Sequence, residues 1–115
     1  ILEEMVSTGA DALEIDYKTD VRLARRVLAG RAAFVGNIDP NAVLALGTPQ
    51  LVERKTRELL EVFAGEPRFI LNAGCAIAAN TPHTHCFIEL SSRAMPGLLK
   101  KTFIHEKIRC YGFRS

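Results

Sequence analysis

Three short strand-like runs separated by two amphipathic helical segments constrain the fold of this 115-residue chain more than any other feature. The runs cover about residues 12–16, 32–38 and 68–74. The second is apolar on both faces up to Gly36, and the third has three consecutive large apolar residues followed by Asn-Ala-Gly. Continuous apolar strands are typical of a sheet covered by helices. Connections of this length favour parallel pairing with right-handed crossovers. The sequence therefore predicts an α/β fold with three parallel strands.

The two helical segments lie near residues 20–29 and 49–64. Thr19-Asp20 supplies an N-cap for the first helix, and Thr48-Pro49 supplies the N-cap and first position of the second. Right-handed crossovers place both helices on the same face of the sheet. We therefore expect apolar residues to be exposed on the other face. Because three strands cannot close a barrel, the chain is predicted to be a piece of a larger structure.

Five side chains directly end or follow the predicted strands: Asp16, Tyr17, Asn37, Asp39 and Cys75. The carboxyl ends of parallel strands meet at one edge, where α/β proteins bind their ligands. We therefore expect all five residues to gather there, and Asp16, Tyr17, Asn37 and Asp39 to bind the substrate. Two structural alternatives stay open. Asn and Asp often stabilise turns by bonding their own backbone, and a free cysteine is often a small packing residue.

Charge divides the chain into two unequal parts. Residues 1–82 carry nine Lys/Arg against eleven Asp/Glu, whereas residues 83–115 carry six against two. The arginines of the first helix are typical of a solvated face, and the basic C-terminal part lacks the stacking aromatic pattern of nucleic-acid binding. No apolar run could span a bilayer, and no signal peptide is recognisable. Three cysteines, an odd number, favour a reducing, cytoplasmic setting.

Several motifs together resemble a known family. They are Gly-Ala-Asp-Ala-Leu-Glu-Ile-Asp at 9–16, Gly-Asn-Ile-Asp-Pro at 36–40, Leu-Gly-Thr-Pro at 46–49, Asn-Ala-Gly-Cys at 72–75 and Asn-Thr-Pro at 80–82. In this order and spacing they resemble the C-terminal part of the uroporphyrinogen decarboxylase superfamily, which also contains corrinoid-dependent methyltransferases. The resemblance implies a (β/α)8 barrel, of which residues 1–82 would supply about the last three strands.

Cys75 points to one branch of that superfamily. In the decarboxylase branch the sequence at this place is similar to Asn-x-Gly-His-Gly, and its histidine contacts the porphyrinogen. A cysteine after Ala-Gly resembles the methyltransferase branch, where the thiolate is one of three zinc ligands beside a His-x-Cys pair. The resemblance then implies that zinc lowers the pKa of a substrate thiol such as coenzyme M, which attacks the methyl group of a methylated corrinoid. Decarboxylation of a porphyrinogen is the alternative, and a non-catalytic remnant is a third.

The chain also departs from the family pattern. It contains neither an upstream His-x-Cys pair nor the catalytic aspartate that decarboxylases carry near their first strand, so we expect it to be inactive alone. The expected partners are a small thiol or a porphyrinogen, and a corrinoid protein as methyl donor. Nucleic acid and membrane are not expected as partners.

The family pattern ends at Pro82, so we predict that residues 83–115 form a separate basic tail of foreign or frameshifted origin. His83, His85 and Cys86, together with Cys75, give four potential zinc ligands. We expect this cluster not to bind metal, because His-x-His is a poor chelate on a helix.

Overall fold

A computed structural model describes the backbone of residues 1–88 and the side chains of residues 1–85. Its elements, in chain order, are helix α1 (Leu2–Ser7), strand β1 (Ala12–Glu14), helix α2 (Val21–Leu28), strand β2 (Ala33–Ile38), a π-helical turn (Pro40–Ala45), helix α3 (Pro49–Val62), strand β3 (Phe69–Ala73) and helix α4 (His83–Ile88). Most of the predicted tail, residues 89–115, lies outside this description.

The three strands form one sheet in the order β1-β2-β3, and both neighbouring pairs are parallel. Leu13, Phe34 and Phe69 stand in one row across the sheet. This arrangement confirms the predicted strands and their parallel pairing. The π-helical turn that follows β2 was not predicted.

An aromatic cluster joins α3 to the sheet. The ring of Phe63, at the C-terminal end of α3, lies 4.4 Å from the ring of Phe34 and 4.4 Å from the ring of Phe69. All three side chains are at most 2% exposed. Burying each aromatic side chain contributes roughly 1.5–3 kcal/mol relative to leaving it in water. This cluster therefore fixes the helical layer on β2 and β3.

Side chains at the helix ends explain where α2 and α3 begin and how they meet. Asp20 accepts hydrogen bonds from the backbone of Arg22 and Leu23, and Thr48 accepts one from Leu51, so both predicted N-caps are confirmed. The Arg25 guanidinium donates to the carbonyls of Val62 and Ala64 at the C-terminal end of α3. A cation there also complements the negative end of the helix dipole.

The opposite face of the sheet is less well covered within residues 1–85. Along β3, Phe69, Leu71 and Ala73 are buried, whereas Ile70 and Asn72 between them are only half-buried. The same contrast holds on β2 for Phe34 and Val35. Helix α4 packs against α3 and the π-helical turn. On the helix-free face the apolar side chains of Val35 and Ile70 are thus half-buried, whereas the prediction was that they would be exposed.

No helix in residues 1–88 combines the length and the apolar character needed to cross a bilayer.

Candidate functional site

Asn37 connects the loops that follow β1 and β2. Its side-chain amide donates to the backbone carbonyls of Asp16, at 3.2 Å, and Thr19, at 3.4 Å. The residue is 7% exposed, so these bonds satisfy a polar group that water hardly reaches. The amide bonds a neighbouring loop, whereas the structural alternative considered for it was a bond to its own turn. Asn37 therefore holds the first two loops of the strand edge together.

The two aspartates stabilise local turns. Asp16 Oδ1 accepts a hydrogen bond from the backbone N–H of Lys18 at 2.8 Å. Asp39 Oδ1 accepts from Asn41 at 2.8 Å and Ala42 at 2.9 Å, and so caps the π-helical turn. Both contacts are of the kind that Asp makes in turns. In each aspartate, one carboxylate oxygen therefore stabilises a turn, as the structural alternative proposed.

Two glycines allow the ends of the strands to approach one another. Gly36 has φ +134°, and a β-carbon there would lie 2.8 Å from the carbonyl oxygen of Ile15. A β-carbon on Gly74 would lie 2.5 Å from the backbone nitrogen of Tyr17, although β1 and β3 are not neighbours in the sheet. Only a residue without a side chain fits so close to backbone atoms.

Cys75 comes directly after this contact. The N–H of Gly74 donates to the carbonyl of Ile38 at 2.8 Å, which fixes the chain just before the cysteine at the end of β2. Cys75 is exposed and its thiol is free. The backbones that follow all three strands therefore meet at one edge, where the five predicted residues lie.

A cleft of about 660 Å³ opens between α2 and α3 at this edge. Tyr17, Asn37 and Asp39 are among its lining residues, whereas Asp16 and Cys75 are not. Clefts of this size are common for small-molecule ligands. Three of the five predicted residues thus share the cleft, and Cys75 belongs to a separate, exposed part of the edge.

Charged residues of the two helices also line the cleft, and the sequence reasoning missed their part in it. They are Arg22 and Arg25 of α2 and Lys55, Glu58 and Glu61 of α3. The arginines of the first helix were predicted to lie on a solvated face, and helical periodicity alone does not reveal that charged residues of both helices border one cleft. Lys55 and Glu58 form an ion pair at 2.7 Å. The cleft is therefore of mixed charge.

Two further electrostatic features lie beside the cleft. Lys18 Nζ stands 5.6 Å from the centre of the Tyr17 ring, within the range of a cation–π contact. Asp20, at the start of α2, has a pKa below its ordinary 3.8, first because the Leu23 N–H donates to its carboxylate and then because the Arg22 N–H does.

The described residues do not complete a metal site. No three or more His, Cys, Asp or Glu side chains among them converge on a common point. His85 is buried with its Nδ1 2.8 Å from the carbonyl oxygen of Leu44, and His83 is exposed. Cys75 is one accessible thiol, whereas a catalytic zinc ion takes three protein ligands. Within residues 1–85, the donor set therefore fits one ligand of such a site and not the whole site.

Comparisons with known proteins agree with the motifs quoted above. A model of the uroporphyrinogen decarboxylase family (URO-D) matches residues 1–90. The uroporphyrinogen decarboxylase of Ralstonia pickettii (strain 12J) is 40% identical over 84 residues, covering 70% of this chain and 22% of the relative. That of Sodalis glossinidius (strain morsitans) is 36% identical over 84 residues, covering 73% of this chain and 23% of the relative. The matched region includes α4, while a division of the chain at Pro82 stays a prediction.

A solved structure matches as well. A methyltransferase from Methanosarcina mazei superposes with a TM-score of 0.67 at 26% identity, covering 78% of this chain and 26% of that protein. This match confirms the predicted fold class, a part of an α/β barrel with parallel strands. The chain spans about a quarter of the length of the proteins that it matches.

Proposed function

Because the chain belongs to the uroporphyrinogen decarboxylase family, we propose that it forms the C-terminal part of a (β/α)8 barrel enzyme that transfers a methyl group to a small thiol. One observation carries this proposal. Cys75 is an exposed, free thiol directly beyond the carboxyl end of β3, the edge where barrel enzymes place their catalytic groups. A thiol at this place is a good metal ligand once deprotonated.

In this proposal Cys75 supplies one zinc ligand, and the remaining ligands come from parts of the barrel outside residues 1–85. Zinc, a methylated corrinoid as co-substrate and a thiol such as coenzyme M belong to the proposal. So do a corrinoid protein as partner and a reducing, cytoplasmic setting that keeps the exposed thiol free. Without the other ligands, the 115-residue chain would be inactive alone.

The substrate-binding roles proposed for the other edge residues differ in kind. Tyr17 lines the cleft, and its backbone lies close to Gly74, the residue before Cys75. The Asn37 amide and the Asp39 carboxylate bond backbone groups and so hold the loops in place. Asp16 is exposed, and its carboxylate accepts a hydrogen bond from the backbone N–H of Lys18. We propose that Tyr17 faces the substrate and that the three others shape the edge around it.

Decarboxylation of a porphyrinogen is a second candidate function. The observation in its favour is that relatives 34–40% identical to this chain are uroporphyrinogen decarboxylases. In that case Cys75 would stand at the place of a substrate-contacting histidine and would not bind zinc. The two candidates therefore make opposite predictions for a change at Cys75. A non-catalytic remnant would show neither activity.

The test uses a chain that contains the rest of the barrel, with wild-type Cys75 or with Cys75→Ser. Zinc content, methyl transfer from methylcobalamin to coenzyme M and release of carbon dioxide from uroporphyrinogen are measured on both proteins. If the methyltransferase proposal is correct, the Cys75→Ser protein keeps its fold but loses both bound zinc and methyl-transfer activity. The reason is that a hydroxyl is a far poorer zinc ligand than a thiolate. Cys86→Ser is the matched cysteine control and should keep both properties.

The outcomes separate the three candidates. Full zinc occupancy in Cys75→Ser overturns the methyltransferase proposal. Carbon dioxide release that survives Cys75→Ser supports the decarboxylase, and absence of both reactions in the wild-type barrel supports the non-catalytic remnant.

A further inference from the structure

The loop that carries Cys75 is anchored on both sides. Before the cysteine, Gly74 donates its N–H to the carbonyl of Ile38 at the end of β2. Two residues after it, the half-buried Ile77 packs against the hydrophobic core. The loop then continues into α4, which packs on α3 and the π-helical turn. The exposed Cys75 thus lies in a short loop segment that is anchored before and after it.

His85 forms the anchor at the far end. It is 5% exposed, and its Nδ1 lies 2.8 Å from the carbonyl oxygen of Leu44. A carbonyl only accepts hydrogen bonds, so Nδ1 carries the proton and donates. Leu44 is fully buried near the end of the π-helical turn, where the last carbonyls have no partner within a helix. His85 therefore satisfies a buried acceptor of a different element and ties α4 to it.

We propose that His85 is a positioning residue for Cys75. Its hydrogen bond to Leu44 docks α4 on the π-helical turn, which fixes the far end of loop 74–82 and so limits where the Cys75 thiol can lie. The same turn is capped by Asp39, so one bond couples the cysteine loop to the loop after β2. The purpose of this placement rests on the metal-ligand role proposed for Cys75, whereas the placement itself needs no metal.

Two substitutions at His85 separate the hydrogen bond from the bulk of the side chain. His85→Asn keeps an N–H donor close to the position of Nδ1, and His85→Gln moves it towards the position of Nε2. His83→Gln, at an exposed position of the same helix, is the matched control. All variants are made in the 115-residue chain with Cys86→Ser and Cys110→Ser, which leaves Cys75 as the only thiol.

Two measurements follow the loop and one follows the core. A nitroxide attached to Cys75 reports the mobility of the loop by electron paramagnetic resonance. Hydrogen exchange at the Gly74 amide reports the near anchor, and exchange at the Phe34 amide, which bonds the carbonyl of Arg68, reports the sheet. Neither metal nor activity is measured, so a failure of this proposal is distinguishable from a failure of the function proposed for Cys75.

His85→Gln should increase nitroxide mobility and accelerate Gly74 exchange about tenfold, the factor expected when a buried acceptor loses its hydrogen bond. Exchange at Phe34 should stay unchanged, and His85→Asn and His83→Gln should resemble the wild type. The proposal is overturned if His85→Gln leaves the loop unchanged, or if it accelerates Phe34 as much as Gly74. It is equally overturned if His85→Gln prevents folding or if His85→Asn behaves like His85→Gln, since His85 would then act through general packing.

Discussion

The backbone of Gly74 lies so close to Tyr17 that a β-carbon on the glycine would be 2.5 Å from the tyrosine nitrogen. The two residues follow strands that are separated by β2, so their contact closes the edge of the sheet over the end of the middle strand. Tyr17 makes this contact itself, and Cys75 directly follows Gly74, so the positions of both residues depend on that approach. It also makes Gly74 the glycine whose replacement tests the edge most directly.

Gly74→Ala should destabilise the fold by about 3 kcal/mol, because backbone atoms cannot give way to a new methyl group as a flexible side chain can. Gly65→Ala is the control, since its φ of +78° is left-handed but open space surrounds it. We expect it to cost about 1 kcal/mol from backbone strain alone. Urea unfolding followed by circular dichroism measures both, and equal costs would contradict the close approach of Gly74 to Tyr17.

Asn37→Asp should destabilise the protein by about 2 kcal/mol or more. It replaces a buried donor by a carboxylate that faces the carbonyls of Asp16 and Thr19. Asn80→Asp, at an exposed position, should change the free energy of unfolding by less than about 0.5 kcal/mol. If both variants unfold at the same urea concentration, Asn37 does not hold the two loops together.

Thr56→Val should stabilise the protein by about 1 kcal/mol. The Thr56 hydroxyl lies buried on α3 with no hydrogen-bond partner among the residues that the structure describes, and burying an unpaired hydroxyl is unfavourable. Thr84→Val, at an exposed position of α4, is the control and should be nearly neutral. Thermal unfolding of both proteins checks this, and a lower midpoint for Thr56→Val would indicate that the hydroxyl is bonded in solution.

Acid should weaken the start of α2 through Asp20. The folded-state pKa of Asp20 lies below its ordinary 3.8, because the N–H groups of Leu23 and Arg22 donate to the ionised carboxylate. Its contribution to stability is therefore present above pH 3.8 and is lost as the pH falls through the lower, folded-state pKa. Asp20→Asn retains a cap that does not titrate, so its unfolding free energy should depend less on pH below pH 3.8. Identical pH profiles would exclude this role.

Local signals predicted most of the fold. Asp20, Thr48 and Pro49 occupy their predicted cap positions, and the strands Ala33–Ile38 and Phe69–Ala73 lie within their predicted ranges. These features depend on neighbouring residues in the chain, where propensity and capping act. The first strand, Ala12–Glu14, is shorter than its predicted range because the chain turns at Asp16.

Contacts between distant segments explain what was not predicted. The π-helical turn has a proline at its start and is held by Asp39, but its buried Leu44 carbonyl is bonded by a histidine 41 positions away. The bond from Asn37 to the loop after β1 likewise needs the finished sheet. Sequence position placed Cys75 at the edge, but its separation from the cleft between α2 and α3 depends on how the helices pack.

The half-buried Tyr17 makes the strand edge visible to spectroscopy independently of the core. The chain has no tryptophan and two tyrosines, and Tyr111→Phe would leave Tyr17 as the sole strong ultraviolet emitter. The aromatic side chains that fix α3 on the sheet are all phenylalanines, which contribute little to such a signal. Tyrosine emission in that variant would therefore report the surroundings of Gly74 and Lys18, while far-ultraviolet circular dichroism would report the helices and strands. A substitution that loosens the edge without melting the sheet would separate the two signals.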